Sequence, residues 1–329
     1  MLRNKRDWNG SRPLLDIASY ARRGSGERFS PQELDAIALT VRRTPEVVVK
    51  ISGAATTVRG AFAHLKYIDR AGNLSIETDR GESLQGAGAE SDLVVDWDLE
   101  LLACASRAPY QGKAGRKTNK LVHNVVLSMP AGTPPAKLLA ASRGFAREIF
   151  ALQNRYAMVL HTDQDHPHVH LVVKAVSEEG RRLSIRKATL REWRRRFAAQ
   201  LRDHGIPANA TERAVRGQVS GPVRDGIYRA TQRGESRHSE LQRRRVMQPP
   251  RSGRASSDPG ATKLWETRRA VVQGWNAVAD RLLIEGHPHL AQQVWKLIGR
   301  MPAPQTDDQR LQTKLAMLVD EYGAGERTR

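Results

Sequence analysis

Apolar and polar positions along the chain recur with either a helical or a strand period, and their order predicts the elements. Residues 1–45 are basic and turn-rich, with one helix predicted from Ser30 to Arg43. The run EVVVKIS (46–52) reads as a strand that ends at Gly53. In TTVRGAFAHLKYIDRAG, Val58, Phe62, Leu65 and Ile68 fall at helical spacing, with Thr56 or Thr57 as N-cap and Gly72 as the stop. NLSIET (73–78) reads as a short strand, 97–107 as a helix, and GKAGRKTNK (112–120) as a basic loop. LVHNVVLSMPAG (121–132) predicts a strand ending in a turn, and 136–151 an amphipathic helix. Two apolar runs, RYAMVL and LVVKAV, then flank the polar stretch Thr162–Pro167, the pattern of a hairpin. A strongly basic helix follows at 188–204, closed by Gly205.

Beyond that, the pattern loosens. Residues 221–260 are rich in Arg, Ser, Gly and Pro and read as a basic linker with some helix. Residues 261–329 read as a C-terminal helical region, with two or three helices over 261–322 carrying Trp265, Trp275 and Trp295. The predicted division is a basic N-terminal extension (1–45), a core domain (46–220), the linker and the helical region. The core is expected to be α+β, with strands paired antiparallel and helices covering one face.

Charge narrows the partner. With 54 Lys and Arg against 35 Asp and Glu, the 329-residue chain carries a formal +19. A surplus of this size points to a polyanion, and the predominance of arginine suits bidentate phosphate contacts. No apolar run is long enough to cross a bilayer, and the start, MLRNKRDWNG, lacks the apolar segment of a secretory signal. The single cysteine, Cys104, excludes an internal disulfide and fits a reducing cytoplasm; its LLACAS setting predicts core packing.

The hairpin carries the chemistry. HTDQDHPHVH (161–170) holds four of the chain's ten histidines. Alternate side chains of a strand share a face, so His168 and His170 point one way while Val169 and Leu171 enter the core. His161 ends the facing strand, within cross-strand reach, so three imidazoles can converge on one divalent cation. Three neutral imidazoles leave coordination positions open, as a catalytic site requires. The choice is Mg2+ or Mn2+, with Zn2+ as the alternative. His287 and His289 repeat the His-Pro-His triplet but lack a strand pattern and a third histidine, and read as an interhelix loop. No P-loop, dinucleotide fingerprint or HExxH helix is present. The remaining reading is a metal that polarises a phosphodiester, attacked by water or by a tyrosine. Of the six tyrosines, Tyr67 stands out, because Leu65 and Ile68 can bury its helix against the sheet beside the metal.

Three stretches are similar to motifs of a known family. FAHLKYIDRAGNLSIE (62–77) resembles a nucleophile motif, HNVVLSMPAGTPP (123–135) a motif whose serine contacts DNA, and HTDQDHPHVHLVVK (161–174) a metal motif. The family is that of plasmid mobilisation and conjugation relaxases, the MobA/VirD type within the HUH endonuclease superfamily. HGIPANATERAVRG (204–217) also resembles its closing segment. The likeness covers about 45–220 and departs at Lys174, where many relatives carry asparagine. It implies an antiparallel sheet of about five strands with helices on its faces. It also implies that Tyr67 attacks one strand at a transfer origin to give a 5′-phosphotyrosine and a free 3′-hydroxyl. Asp163, directly or through His161, is then the local base, His161, His168 and His170 the metal ligands, and Ser128 a DNA contact. A relaxosome accessory protein and a type IV secretion coupling protein are the implied partners, with passage of the protein to a recipient cell alongside the DNA.

The basic helix is a separate expectation. Arg186, Lys187, Arg191, Arg194 and Arg195 are taken as phosphate contacts, with Trp193 and Phe197 on the buried stripe. The rival functions are an HUH nuclease of replication or transposition and a non-catalytic DNA-binding accessory protein. A tyrosine placed before the histidines favours the relaxase over the first rival, and intact Tyr67 and histidines favour it over the second.

Overall fold

The protein, a computed structural model, is described over residues 28–107, 119–218, 225–247 and 259–326. Its elements in chain order begin with α1 (Pro31–Val41), β1 (Val48–Ala55), α2 (Val58–Ile68), β2 (Ile76–Thr78), β3 (Ser83–Leu84), α3 (Ala89–Asp96) and α4 (Leu99–Arg107). Next come β4 (Val122–Ser128), α5 (Pro135–Phe150), β5 (Tyr156–His161), β6 (His168–Lys174) and α6 (Lys187–Asp203). Five helices follow: α7 (Asp225–Gln232), α8 (Arg237–Met247), α9 (Pro259–Ile284), α10 (Pro288–Gly299) and α11 (Asp307–Glu326). These fall into two compact units. One is Arg43–Ala210; the other takes the described parts of Leu14–Arg42 and Thr211–Arg329.

The first unit is a six-stranded antiparallel sheet in the order β1-β4-β6-β5-β2-β3. The sixth strand beyond the expected five is the two-residue β3. Alternation along the strands divides the apolar side chains between two cores. Val49, Val125, Leu127, Met158, Val169, Leu171 and Val173 pack on one face against Phe145 and Phe150 of α5 and Trp193 and Phe197 of α6. Ala55, Val122, Ala157, Val159 and Val172 pack on the other, under Ala61, Leu65 and Ile68 of α2 and Leu93 and Trp97. Helices therefore cover both faces, not the single face that periodicity suggested. The residues of β4 and β6 are buried throughout, and the side that carries His168, His170 and Ser128 reads as polar although Val122 and Val172 on that same side belong to a second core.

Other boundaries shift for local reasons. β1 runs through Gly53 to Ala55, because the register slips between Ile51 and Gly53 and lets the strand absorb a bulge. The helix expected at 97–107 begins at Leu99, and α3, unforeseen in an acidic stretch, precedes it. Cys104 is exposed, whereas its neighbour Ala103 is buried, so α4 turns its apolar side away from the cysteine. Of the basic loop expected at 112–120, residues up to 118 lie outside the described ones.

In the second unit, Phe29 and Ile37 pack with Trp275, Val278, Leu282, Ala291 and Val294 of α9 and α10. The Trp275 indole donates to the Val215 carbonyl at 2.7 Å. The helix assigned to an N-terminal extension thus shares a core with the C-terminal helices. Trp265 and Trp295 are exposed.

The turn after α2 is tightly built. Arg70 and Ala71 have φ of 57° and 56°, and Gly72 follows at 87°. A Cβ on Gly72 would lie 2.9 Å from the Gly86 carbonyl carbon, a backbone atom that cannot swing aside. Gly72→Ala is therefore expected to destabilise the protein by at least about 1 kcal/mol, lowering Tm by a few degrees in a thermal melt. An unchanged Tm would show that the turn relaxes freely.

Candidate active site

The site grows out of the hairpin register. His161 faces His168 directly across β5–β6, and His168 faces Ser128 of β4, which faces Val48 of β1. One row further along lie Val159, His170, Val126 and Lys50. Because side chains alternate, His161, His168, His170, Ser128, Val48 and Lys50 all belong to the sheet face opposite α5 and α6. The rings of His161 and His170 are 4.5 Å apart, those of His168 and His170 5.1 Å, and those of His161 and His168 5.2 Å. One nitrogen from each lies within 4.8 Å of the others. The imidazoles are 1%, 7% and 8% exposed in chain order. His287 and His289 are exposed in the other unit and form no such group among the described residues.

Hydrogen bonds fix which nitrogen is free. His161 donates from Nε2 to the Ile68 carbonyl at 2.6 Å, which leaves its lone pair on Nδ1. His168 donates from Nδ1 to the His166 carbonyl at 3.2 Å, leaving Nε2. His170 Nδ1 is buried with no hydrogen-bond partner. Burial holds all three below the ordinary imidazole range, His170 down to about 3, with the charges of its histidine neighbours and Arg70 adding to the shift. Neutral, nearly dry imidazoles with backbone acceptors behind two of them fit a divalent cation.

α2 brings the tyrosine. Thr57 caps it, accepting from Gly60 N at 3.1 Å, and Leu65 and Ile68 are fully buried against the sheet. The opposite side of the last turn then points outward, and Tyr67 is 52% exposed. Its ring lies 6.1 Å from that of His170, edge to face. His64, one turn earlier, stacks at 6.2 Å on Tyr67 and lies 6.3 Å from His170. Burial lowers His64 to about 4.

Arg70 joins these groups. Its guanidinium carbon sits 5.1 Å over the Tyr67 ring, Nη2 reaches His161 Nδ1 at 3.3 Å, and the group is ion-paired to Asp163. Asp163 is also 4.0 Å from His161 Nδ1. Burial would raise the Asp163 carboxyl, but the charge of Arg70 outweighs it and holds it below the usual carboxylate range. The expected base is thus brought to the site, but its partner there is Arg70.

The other expected residues divide. Ser128 is buried and its Oγ donates to the Pro167 carbonyl at 3.3 Å, tying the hairpin turn to β4. Lys174 is engaged by Glu178 at 3.1 Å. Arg186, Lys187, Arg191, Arg194 and Arg195 ride on α6, whose Trp193 and Phe197 pack on the reverse face, so the sheet separates them from the imidazoles. Arg195 pairs with Glu192. Sequence reading missed three residues. His64 stands three before Tyr67 on α2, a spacing that puts helix neighbours together, whereas Arg70 comes from the left-handed turn after the helix. Lys50, exposed on β1, lies in the His170 row, and its charge contributes to lowering His168.

Comparison with known proteins follows the same lines. Residues 75–206 match the family model described as "Relaxase: MobA/VirD2-like, nuclease domain". The match starts after Tyr67. The chain is 27% identical over 206 residues to the T-DNA border endonuclease VirD2 of Agrobacterium fabrum (strain C58), covering 58% of this chain and 45% of that protein. It is 25% identical to the protein of the same name from Rhizobium radiobacter, over 60% of this chain and 49% of the other. The chain thus spans about half the length of these relatives. A solved structure titled "Molecular Basis of Vancomycin Resistance Transfer in Staphylococcus aureus" overlaps 51% of this chain and 99% of its own, with TM-score 0.32 and 13% identity. No described helix is long and apolar enough to cross a membrane.

The lowered histidines make stability pH-dependent. His64, His123 and His170 stay neutral when folded down to about 4, 4 and 3, whereas the unfolded chain takes up protons below the ordinary 6.5. Their stabilising effect is full above 6.5 and is lost as pH falls towards the folded values. Metal-free protein should therefore show a Tm that drops as pH goes from 6.5 to 4.5. His170→Gln should make that drop shallower; an unaltered pH profile in this variant would contradict the shift.

Proposed function

We propose that this chain nicks one DNA strand at a defined site, with Tyr67 as nucleophile; the match of residues 75–206 to the MobA/VirD2-like relaxase nuclease model and the likeness to VirD2 support this reading. The observation that carries this is the position of an outward tyrosine on a buried helix, between the Arg70 guanidinium and the imidazole of His170. In the step proposed, Tyr67 Oη bonds to phosphorus and the bond to the 3′ oxygen breaks, giving a 5′-phosphotyrosine and a 3′-hydroxyl that takes a proton. The reverse step rejoins the strand without ATP, since the ester keeps the bond energy.

His161 through Nδ1, His168 through Nε2 and His170 would hold one divalent cation, which supplies Lewis-acid neutralisation of charge on the phosphate. Mg2+ or Mn2+ fits a phosphodiester substrate; Zn2+ fits the imidazole donors. Arg70 faces the phenolate oxygen as charge develops there, and Asp163 holds Arg70 in place. The tyrosine proton has two routes: to solvent, since Tyr67 is half exposed, or to Asp163, directly or through His161, whose Nδ1 lies 4.0 Å from that carboxylate.

The strand's path follows the same face. Ser128, Val48 and Lys50 continue the His161–His168 and His170 rows towards the β1 edge, and supply a hydroxyl, an exposed apolar side chain and a cation. Transfer-origin single-stranded DNA is the substrate this supports, with mobilisation and its accessory and coupling partners as the biological setting.

Incubation with a labelled single-stranded transfer-origin oligonucleotide and Mn2+ should give a covalent adduct that chelator prevents. Tyr67→Phe should abolish the adduct and leave DNA binding near wild type; adduct mapped to another tyrosine would overturn the assignment. Lys50→Ala should weaken single-strand binding and reduce its salt slope by about 0.7, the share of one phosphate contact. The reverse-face substitution Arg191→Ala should affect oligonucleotide nicking less than Lys50→Ala, and the opposite ranking would put the strand on α6.

A further inference from the structure

His161 has one lone pair to give, and Arg70 already has it. The Ile68 carbonyl can only accept, so the proton of His161 is on Nε2 and the lone pair on Nδ1. Arg70 Nη2 sits 3.3 Å from that Nδ1. A cation held by all three imidazoles must use the same atom. The guanidinium that braces Tyr67 and the metal that activates the phosphate therefore compete for one nitrogen.

We propose that Arg70 is a displaceable positioning residue: it caps His161 and braces Tyr67 in the metal-free protein, and metal loading moves it off His161 to serve the nucleophile and the DNA. The surroundings suit such a move. Arg70 springs from a left-handed turn (φ 57°) and its side chain is one-third exposed, so its guanidinium has solvent beside it into which it can turn from His161. Asp163, half exposed beside it, keeps hold of the guanidinium when His161 is withdrawn. The donors released from His161 then lie over the Tyr67 ring and within reach of a phosphate. Metal binding would thus deliver a second cation to the reacting phosphate, and a protein without metal would keep its arginine turned inward.

The deepening rests on the proposed relaxase site, but its test uses no DNA, so its failure leaves the Tyr67 assignment standing. Mn2+ binding to the full chain is measured by calorimetry for wild type, Arg70→Gln and Arg70→Lys. With no cation to displace, Arg70→Gln should bind Mn2+ about fivefold more tightly, the weight of one partly exposed charge contact. Arg70→Lys, which keeps a cation at His161, should stay near wild type. A residue that only scaffolds the turn would instead give equal or weaker binding in Arg70→Gln, and that result overturns the proposal. In a second measurement, diamagnetic Zn2+ is titrated while the 15N signals of the Arg70 guanidinium and the His161 ring are followed. Both should move with the midpoint of metal binding; a guanidinium signal that stays still while His161 shifts would also overturn it.

Discussion

A single hydrogen bond, from His161 Nε2 to the carbonyl of Ile68, joins the two halves of this site. Ile68 is the last residue of the helix that carries Tyr67, and His161 is the last residue of β5. The carbonyl is one of those that a helix end leaves without an internal partner, so the bond satisfies α2 and fixes the imidazole tautomer at once. Burial of Leu65 and Ile68 sets the depth of the helix on the sheet, and the hydrogen bond sets its end. Tyr67 is outward because Ile68 is inward.

Electrostatics follows from that geometry. A strongly basic protein keeps its imidazoles neutral by drying them, not by pairing them with acids. The local acid, Asp163, is engaged by Arg70, and His161 and His168 have backbone carbonyls behind them while His170 Nδ1 has no hydrogen-bond partner. The sheet also divides the positive charge. Lys50 and Arg70 stand with the imidazoles, while the arginines of α6 stand behind, several of them offset by Glu192 and Glu148.

Much of this was legible in the sequence. Period-2 alternation placed His168 and His170 on one face and Val169 and Leu171 on the other, and the polar turn put His161 opposite. Helical spacing and a threonine cap placed α2 and the side that Tyr67 occupies. The second core was hidden because the strand face that carries His168, His170 and Ser128 reads as a polar, solvent-facing side, although Val122, Val159 and Val172 on that same face are buried under α2. α3 was hidden because its first turn is acidic and offers few apolar positions to count. The role of Arg70 was illegible for another reason. Its direction depends on a left-handed turn that opens on two residues with side chains, Arg70 and Ala71, before Gly72. The placement of α6 on the face opposite the imidazoles was illegible because charge composition tells how much surplus there is and not which side of a sheet it occupies.

The separation in sequence of the groups at this site bears on how activity arises as the chain folds. Arg70 and His161 are 91 residues apart, and Asp163 is 93 from Arg70. No local segment contains both Tyr67 and the three histidines, so sheet pairing of β1–β4, β4–β6 and β5–β6 is what assembles them. Contacts this distant pay their loop-closure entropy late and form slowly. A chain still emerging, or one partly unfolded, therefore carries the positive charge of the sequence without the assembled imidazole cluster. The strand cleavage proposed for this site thus depends on contacts distant in sequence within the sheet unit and not on any one segment.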